Sequence, residues 1–171
     1  MAQTGTFRSS ESKVAWCFKK AERELREQGK HRGLVKVAAD EHIADAHLTK
    51  AKHNLQAGLD FERKYPDWAV SALFYSVYHC FLALLAHTGY ESRNQECTLA
   101  LVQDLLDKKE IRFSQDILDA FALADDPTTV LSLRERFQYG TETSMPVLTL
   151  RSLEHLALRA LEQTKRAIYS P

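Results

Sequence analysis

One stretch limits what this chain can fold into more than any other. It is Asp67 to Gly89, D-W-A-V-S-A-L-F-Y-S-V-Y-H-C-F-L-A-L-L-A-H-T-G, the longest apolar run in the sequence. Its ends are sharp. Pro66 precedes it, Asp67 is placed to cap the first turn, and Gly89 stands where a helix C-terminus calls for a left-handed residue. At helical spacing Val70, Phe74, Val77, Phe81 and Leu84 fall along one stripe, overlapped by Leu73, Val77, Cys80 and Leu84. Apolar residues wrap most of the circumference, so the segment reads as the central helix of a bundle, touched from several sides. Ser71, Tyr75, Ser76, Tyr78 and His79 interrupt it, so it lacks the ~18 uninterrupted apolar residues of a membrane span. A buried hydroxyl or imidazole left unpaired costs about 1–3 kcal/mol, which makes these polar positions the first candidates for a site.

The rest of the chain is read around that helix. At 171 residues it reads as one domain with room for an appendage, and is long enough for a proper core; six glycines, four prolines and few β-branched clusters argue for an all-α fold. Residues 1–9 are small and polar and read as unstructured. A first helix runs from Ser10-Glu11 to about Gln28, with Val14, Phe18, Ala21 and Leu25 as its apolar face and Gly29 as its stop. Lys30 to Lys36 is basic, contains Gly33 and reads as a linker. A long helix follows from about Lys36 to Arg63, favoured at its start by Asp40-Glu41, with Ile43, Leu48, Ala51, Leu55 and Leu59 facing the core. Beyond the central helix, Ser92 to Asp107 is a helix with Cys97, Leu101 and Leu105 in line, and Phe113 to Leu123 another with Ile117 and Phe121. Asp125-Asp126-Pro127-Thr128-Thr129 is a turn capping a short helix through Tyr139, and Gly140 to Thr149 is a loop. The last helix, about Thr149 to Tyr169, carries Leu150, Leu153, Ala157, Leu161 and Ile168 on one side. The predicted architecture is an up-and-down bundle of six or seven helices.

Charge and cysteines narrow the function classes. With 23 basic and 23 acidic residues the chain has no global field for nucleic acid or membrane, so any RNA contact must come from a local patch or a groove completed by a second subunit. Cys17, Cys80 and Cys97 are odd in number and widely spaced, which reads as reduced, buried thiols in a cytoplasmic protein. The N-terminus carries no signal-peptide apolar core.

Several residue groups have the makings of chemistry. Asp40 to His47 offers Glu41/Asp45 and His42/Asp45 at helical spacing, but a di-metal bundle needs Glu-x-x-His on two helices, and His42 and His47 are five apart. That run reads as a solvated helix start, with no metal and no cofactor. Nucleophile elbows and Gly-rich phosphate loops do not occur. Cys80 beside His79 points about 100° away from it on a helix and reads as a small core hydrophobe. Ser71, Tyr75 and His79, by contrast, form a polar seam one turn apart; its plainer reading is a core histidine satisfied by a tyrosine or a carbonyl. The second concentration is Leu133-Arg134-Glu135-Arg136-Phe137-Gln138-Tyr139-Gly140. It is a solvated helix end by composition, yet its arginines could fork onto phosphates.

The central run with Ala72, Tyr75, Tyr78 and His79, the later L-R-E-R-F-Q-Y-G-T and the closing apolar helix together resemble the HEPN superfamily (higher eukaryotes and prokaryotes nucleotide-binding domains). The resemblance covers about Asp40 to Tyr169. It leaves residues 1–35 as an N-terminal extension (unstructured start, peripheral helix, basic linker) ahead of a helical domain over residues 36–171.

The resemblance implies a bundle that dimerises along the face carrying the arginine segment. In active members an Arg-x4–6-His motif from both subunits forms a metal-independent ribonuclease site. Such proteins act in toxin–antitoxin, CRISPR-linked or antiphage modules, often beside a small nucleotidyltransferase. Here the motif histidine is replaced: five residues after Arg134 stands Tyr139, and tyrosine, with a pKa of about 10, is a poor base at neutral pH. The nearest substitute spacing is Arg151 to His155 on the last helix. The favoured reading is therefore a homodimer that binds RNA, a nucleotide or a partner protein through Arg134, Arg136, Tyr139, Tyr75 and His79. The alternative is a ribonuclease in which Arg134 holds phosphate while His79, His155 or Tyr139 serves proton transfer. A purely structural bundle is the third reading.

Overall fold

The structure, a computed structural model, describes residues 7–170. Seven helices and one two-stranded sheet follow in order among the described residues. They are α1 (Phe7–Gln28), β1 (Leu34–Lys36), α2 (Glu41–Phe61), α3 (Pro66–Thr88), β2 (Tyr90–Ser92), α4 (Gln95–Asp107), α5 (Gln115–Ala122), α6 (Val130–Tyr139) and α7 (Val147–Tyr169). The architecture is the all-α helical bundle the composition predicts. The unstructured start read for residues 1–9 lies outside the described residues up to position 6, and α1 begins at Phe7.

α3 is the central helix. Val70, Leu73, Phe74, Val77, Cys80, Phe81 and Leu84 are all buried, and α2, α4, α6 and α7 pack against it. It is long and apolar enough to cross a bilayer, but two-thirds of that window is enclosed by the bundle. Gly89 ends it at φ 84°, and an added Cβ there would stand 2.9 Å from the Val37 carbonyl oxygen, so both conformation and space demand glycine. The start differs from the sequence reading. Pro66 occupies the first helical position behind Tyr65, which places Asp67 inside the first turn, favourable to the helix dipole but not a cap.

α2 lies against α3 through Ala44, Leu48, Ala51, Leu55 and Gly58. A Cβ at Gly58 would fall 2.7 Å from Leu73 Cδ2, so the missing side chain is what lets the two backbones approach. α7 covers another side with Leu150, Leu153, Leu156, Ala157, Ala160 and Leu161. Phe121 from α5 meets Phe74 and Phe81, each at a ring-centroid distance of 5.0 Å. Not every residue assigned to an apolar face is inside: Leu25, Ile43 and Leu59 are exposed.

Three further readings need correction. Lys30 to Lys36 is not a free linker: it contains β1, which pairs antiparallel with β2 in the register Leu34↔Ser92, Val35↔Glu91 and Lys36↔Tyr90, and buries Leu34 and His31. This sheet moves two helix starts. α2 begins at Glu41, where Asp40 accepts a hydrogen bond from the Ile43 N–H at 3.0 Å, and α4 begins at Gln95, capped in the same way by Asn94 onto Cys97. Finally, Cys17 and Cys97 are not reduced thiols. They form a disulfide, with Cα atoms 5.9 Å apart, that fastens α1 to α4. The β1–β2 pairing brings these helices side by side, and Val14, Cys17 and Ala21 are buried in their contact.

Candidate functional site

One side of α3 is left open. Trp68, Ala72, Tyr75, His79 and Leu82 follow one another at alternating steps of four and three residues, and none of them is fully buried. Tyr75 is 41% exposed and Trp68 63%. Two other polar groups of the helix are committed inward, while Ser71 stays half-buried. Ser76 donates to the Ala51 carbonyl at 2.9 Å, and the Tyr78 hydroxyl pairs with Thr98 Oγ1 at 3.0 Å while burial raises its pKa. Cys80 is fully buried and its thiol is pushed up to about 12, chiefly by burial, which suits the small hydrophobe read from the sequence.

His79 finds its partner on α2. Its Nδ1 lies 2.9 Å from Nδ1 of His47. At that distance one ring donates an N–H to the bare nitrogen of the other, leaving one Nε2 an acceptor and the other Nε2 a donor. Two protonated rings could not face each other this way. Burial, the charge on His47 and that on Lys50 push His79 down to about 4, and burial lowers His47 as well. The couple is therefore neutral at neutral pH. Among the described residues no three His, Cys, Asp or Glu side chains converge on one point, so the couple has no third ligand with which to hold a metal.

One turn earlier, Tyr75 meets the arginine segment. Thr129 caps α6, Leu133 and Phe137 turn into the core, and Arg134 is carried onto α3. Its guanidinium lies 4.5 Å from the Phe74 ring centroid and 5.6 Å from that of Tyr75. The Arg134 Nε is buried without a hydrogen-bond partner. The cation lies against ring faces, and no carboxylate pairs with it among the described residues.

The structure thus joins Arg134, Tyr75 and His79 but treats the remaining sequence candidates differently. Arg136 is engaged in a two-point pair with Glu142, at 2.9 and 2.7 Å. Tyr139 is 75% exposed at the last turn of α6. Arg151 and His155 are both exposed on α7, and between them Glu154 buries an unpartnered oxygen, its pKa raised by burial and by the charge of Glu62.

His47 is the residue the sequence reading did not connect to the site. A signal for it existed. α2 and α3 form an antiparallel hairpin about the turn near Arg63, and His47 and His79 are each sixteen residues from that turn. The Ser76–Ala51 hydrogen bond obeys nearly the same symmetry. Equal distance from a short turn places residues opposite each other, whatever their local context.

No family model and no curated protein matches the chain, so the site is read from its geometry.

Proposed function

We propose that this chain is a HEPN-type bundle that binds an RNA segment or nucleotide along the open side of α3, as a homodimer serving a prokaryotic defence or toxin–antitoxin module. The observation that carries this reading is Arg134. It is a cation laid on Phe74 and Tyr75 with its Nε unpartnered, beside a tyrosine ring open to solvent. Guanidinium suits a phosphate, and an exposed aromatic face suits a base. With no net charge on the chain, such binding rests on a few local contacts and has a shallow salt dependence. A nucleotidyltransferase or another component of the module is the protein partner this reading implies.

The His47–His79 couple favours a second reading, a metal-independent ribonuclease in which paired imidazoles take the place of the motif histidine. One experiment separates the readings: anisotropy and gel analysis of a labelled mixed-sequence RNA with the purified protein in EDTA. Binding without cleavage is expected, weakened about tenfold in Arg134→Ala, in line with the loss of a charge-assisted contact. Cleavage that disappears with Arg134→Ala would replace the first reading by the second. No binding by a folded protein would leave a structural bundle.

A further inference from the structure

We infer that the cleft beyond His47 is a base-selective pocket, taking a nucleobase that carries an exocyclic amino group in preference to uracil. The inference rests on the RNA-binding reading above and assigns a part of the ligand to a part of the seam that Arg134 does not reach. The cleft has a volume of about 490 Å³ and lies between the start of α2, the end of α3 and the small sheet. Its walls are Ile43, Leu82, Leu85 and Ala86, and His47 forms part of its lining. That size and apolar character belong to small-molecule sites.

The polar groups in the lining decide what enters. Asp40 and Glu91 contribute carboxylates, and neither lysine nor arginine lines the cleft. Asp40 Oδ1 accepts from the Ile43 N–H, while Glu91 Oε1 receives Arg93 Nε at 2.6 Å and faces His31 Nε2 at 3.3 Å. The second oxygen of each carboxylate has no hydrogen bond among the described residues. Such a site has no cation in its lining to hold a phosphate and offers free carboxylate oxygens to N–H donors, the pattern by which carboxylates accept from an amino group on a base edge. Adenine and cytosine present an amino group with two N–H donors; uracil presents a single N3–H flanked by two carbonyl oxygens, which carboxylates repel. Position agrees with this division of labour. Leu82 and Ala86 lie seven and eleven residues beyond Tyr75, roughly 10 and 16 Å along the helix, so one strand on α3 can set a phosphate at Arg134 and a base in the cleft.

The test is anisotropy of fluorescein-labelled ten-nucleotide oligo(A), oligo(C) and oligo(U) with the full chain in EDTA. Oligo(A) and oligo(C) are expected to bind about tenfold more tightly than oligo(U). Leu82→Trp, at a partly exposed position, fills the cleft and should level the three affinities; Glu91→Gln, which adds a donor and removes the charge, should shrink the ratio. Arg134→Ala should weaken all three alike and leave the ratio unchanged. Circular dichroism of each variant checks its folding. Equal affinity of the wild type for all three, or a preference that survives Leu82→Trp, would overturn the pocket while leaving RNA binding intact. Failure of every oligonucleotide to bind the folded wild type would overturn both.

Discussion

Burial is the first cause that brings His79 down to about 4, with His47 and Lys50 adding positive charge nearby. In an unfolded chain the same imidazole titrates near 6.5, so between these values the unfolded state binds a proton that the folded state refuses. A depressed pKa of this kind leaves stability complete above about 6.5 and removes it as pH falls towards 4. The melting temperature of the wild type is accordingly expected to fall across that interval, and the fall should be shallower in His79→Gln. A thermal melt at half-unit steps of pH checks it; parallel profiles for the two proteins would contradict the assignment. Tyr75, His79 and Arg134 were legible as residues because their types and helical spacing are local properties. His47 was not, since its meaning arises only when two helices are folded back on one another.

The helices were legible from periodicity, caps and breakers, and α3 most of all. The two strands were not, because three residues each is too short for alternation to register, and β1 lies inside a basic stretch flanked by glycine. Missing the sheet also hid the covalent link, since β1–β2 pairing is what sets α1 beside α4. Two cysteines 80 residues apart say nothing by spacing alone. The pairing makes a direct prediction. Thiol titration of the denatured, unreduced protein should find one reactive cysteine, Cys80, and titration after reduction should find three. Loss of the bond in Cys97→Ser should lower stability by about 2–4 kcal/mol, measured by urea denaturation. Three thiols before reduction would remove the link from the account.

At the scale of the whole molecule, the chain encloses its central helix on all sides but one. Trp68, 63% exposed at the start of that side, lies two turns before Tyr75 and the cleft, clear of the stretch assigned to RNA, and the neutral charge of the chain does nothing to keep two copies apart there. The proposed homodimer predicts a light-scattering mass near twice 19.5 kDa, shifted towards the single chain by Trp68→Glu. A single-chain mass for the wild type at micromolar concentration would count against it.

The Cys17–Cys97 bond has a topological consequence as well. It closes residues 17–97 into a covalent ring that contains β1, α2, α3 and β2, and from which the start of α1 and everything after Cys97, most of α4 included, extend as two tails. A cut at the exposed Arg63-Lys64 turn opens the ring without releasing anything: the two halves of the α2–α3 hairpin remain one molecule until a thiol is added. A cut in either tail leaves a fragment with no covalent tie to the ring, held by packing alone. The helices that carry His47, Tyr75 and His79 are thus the part of the chain that a single backbone break cannot separate.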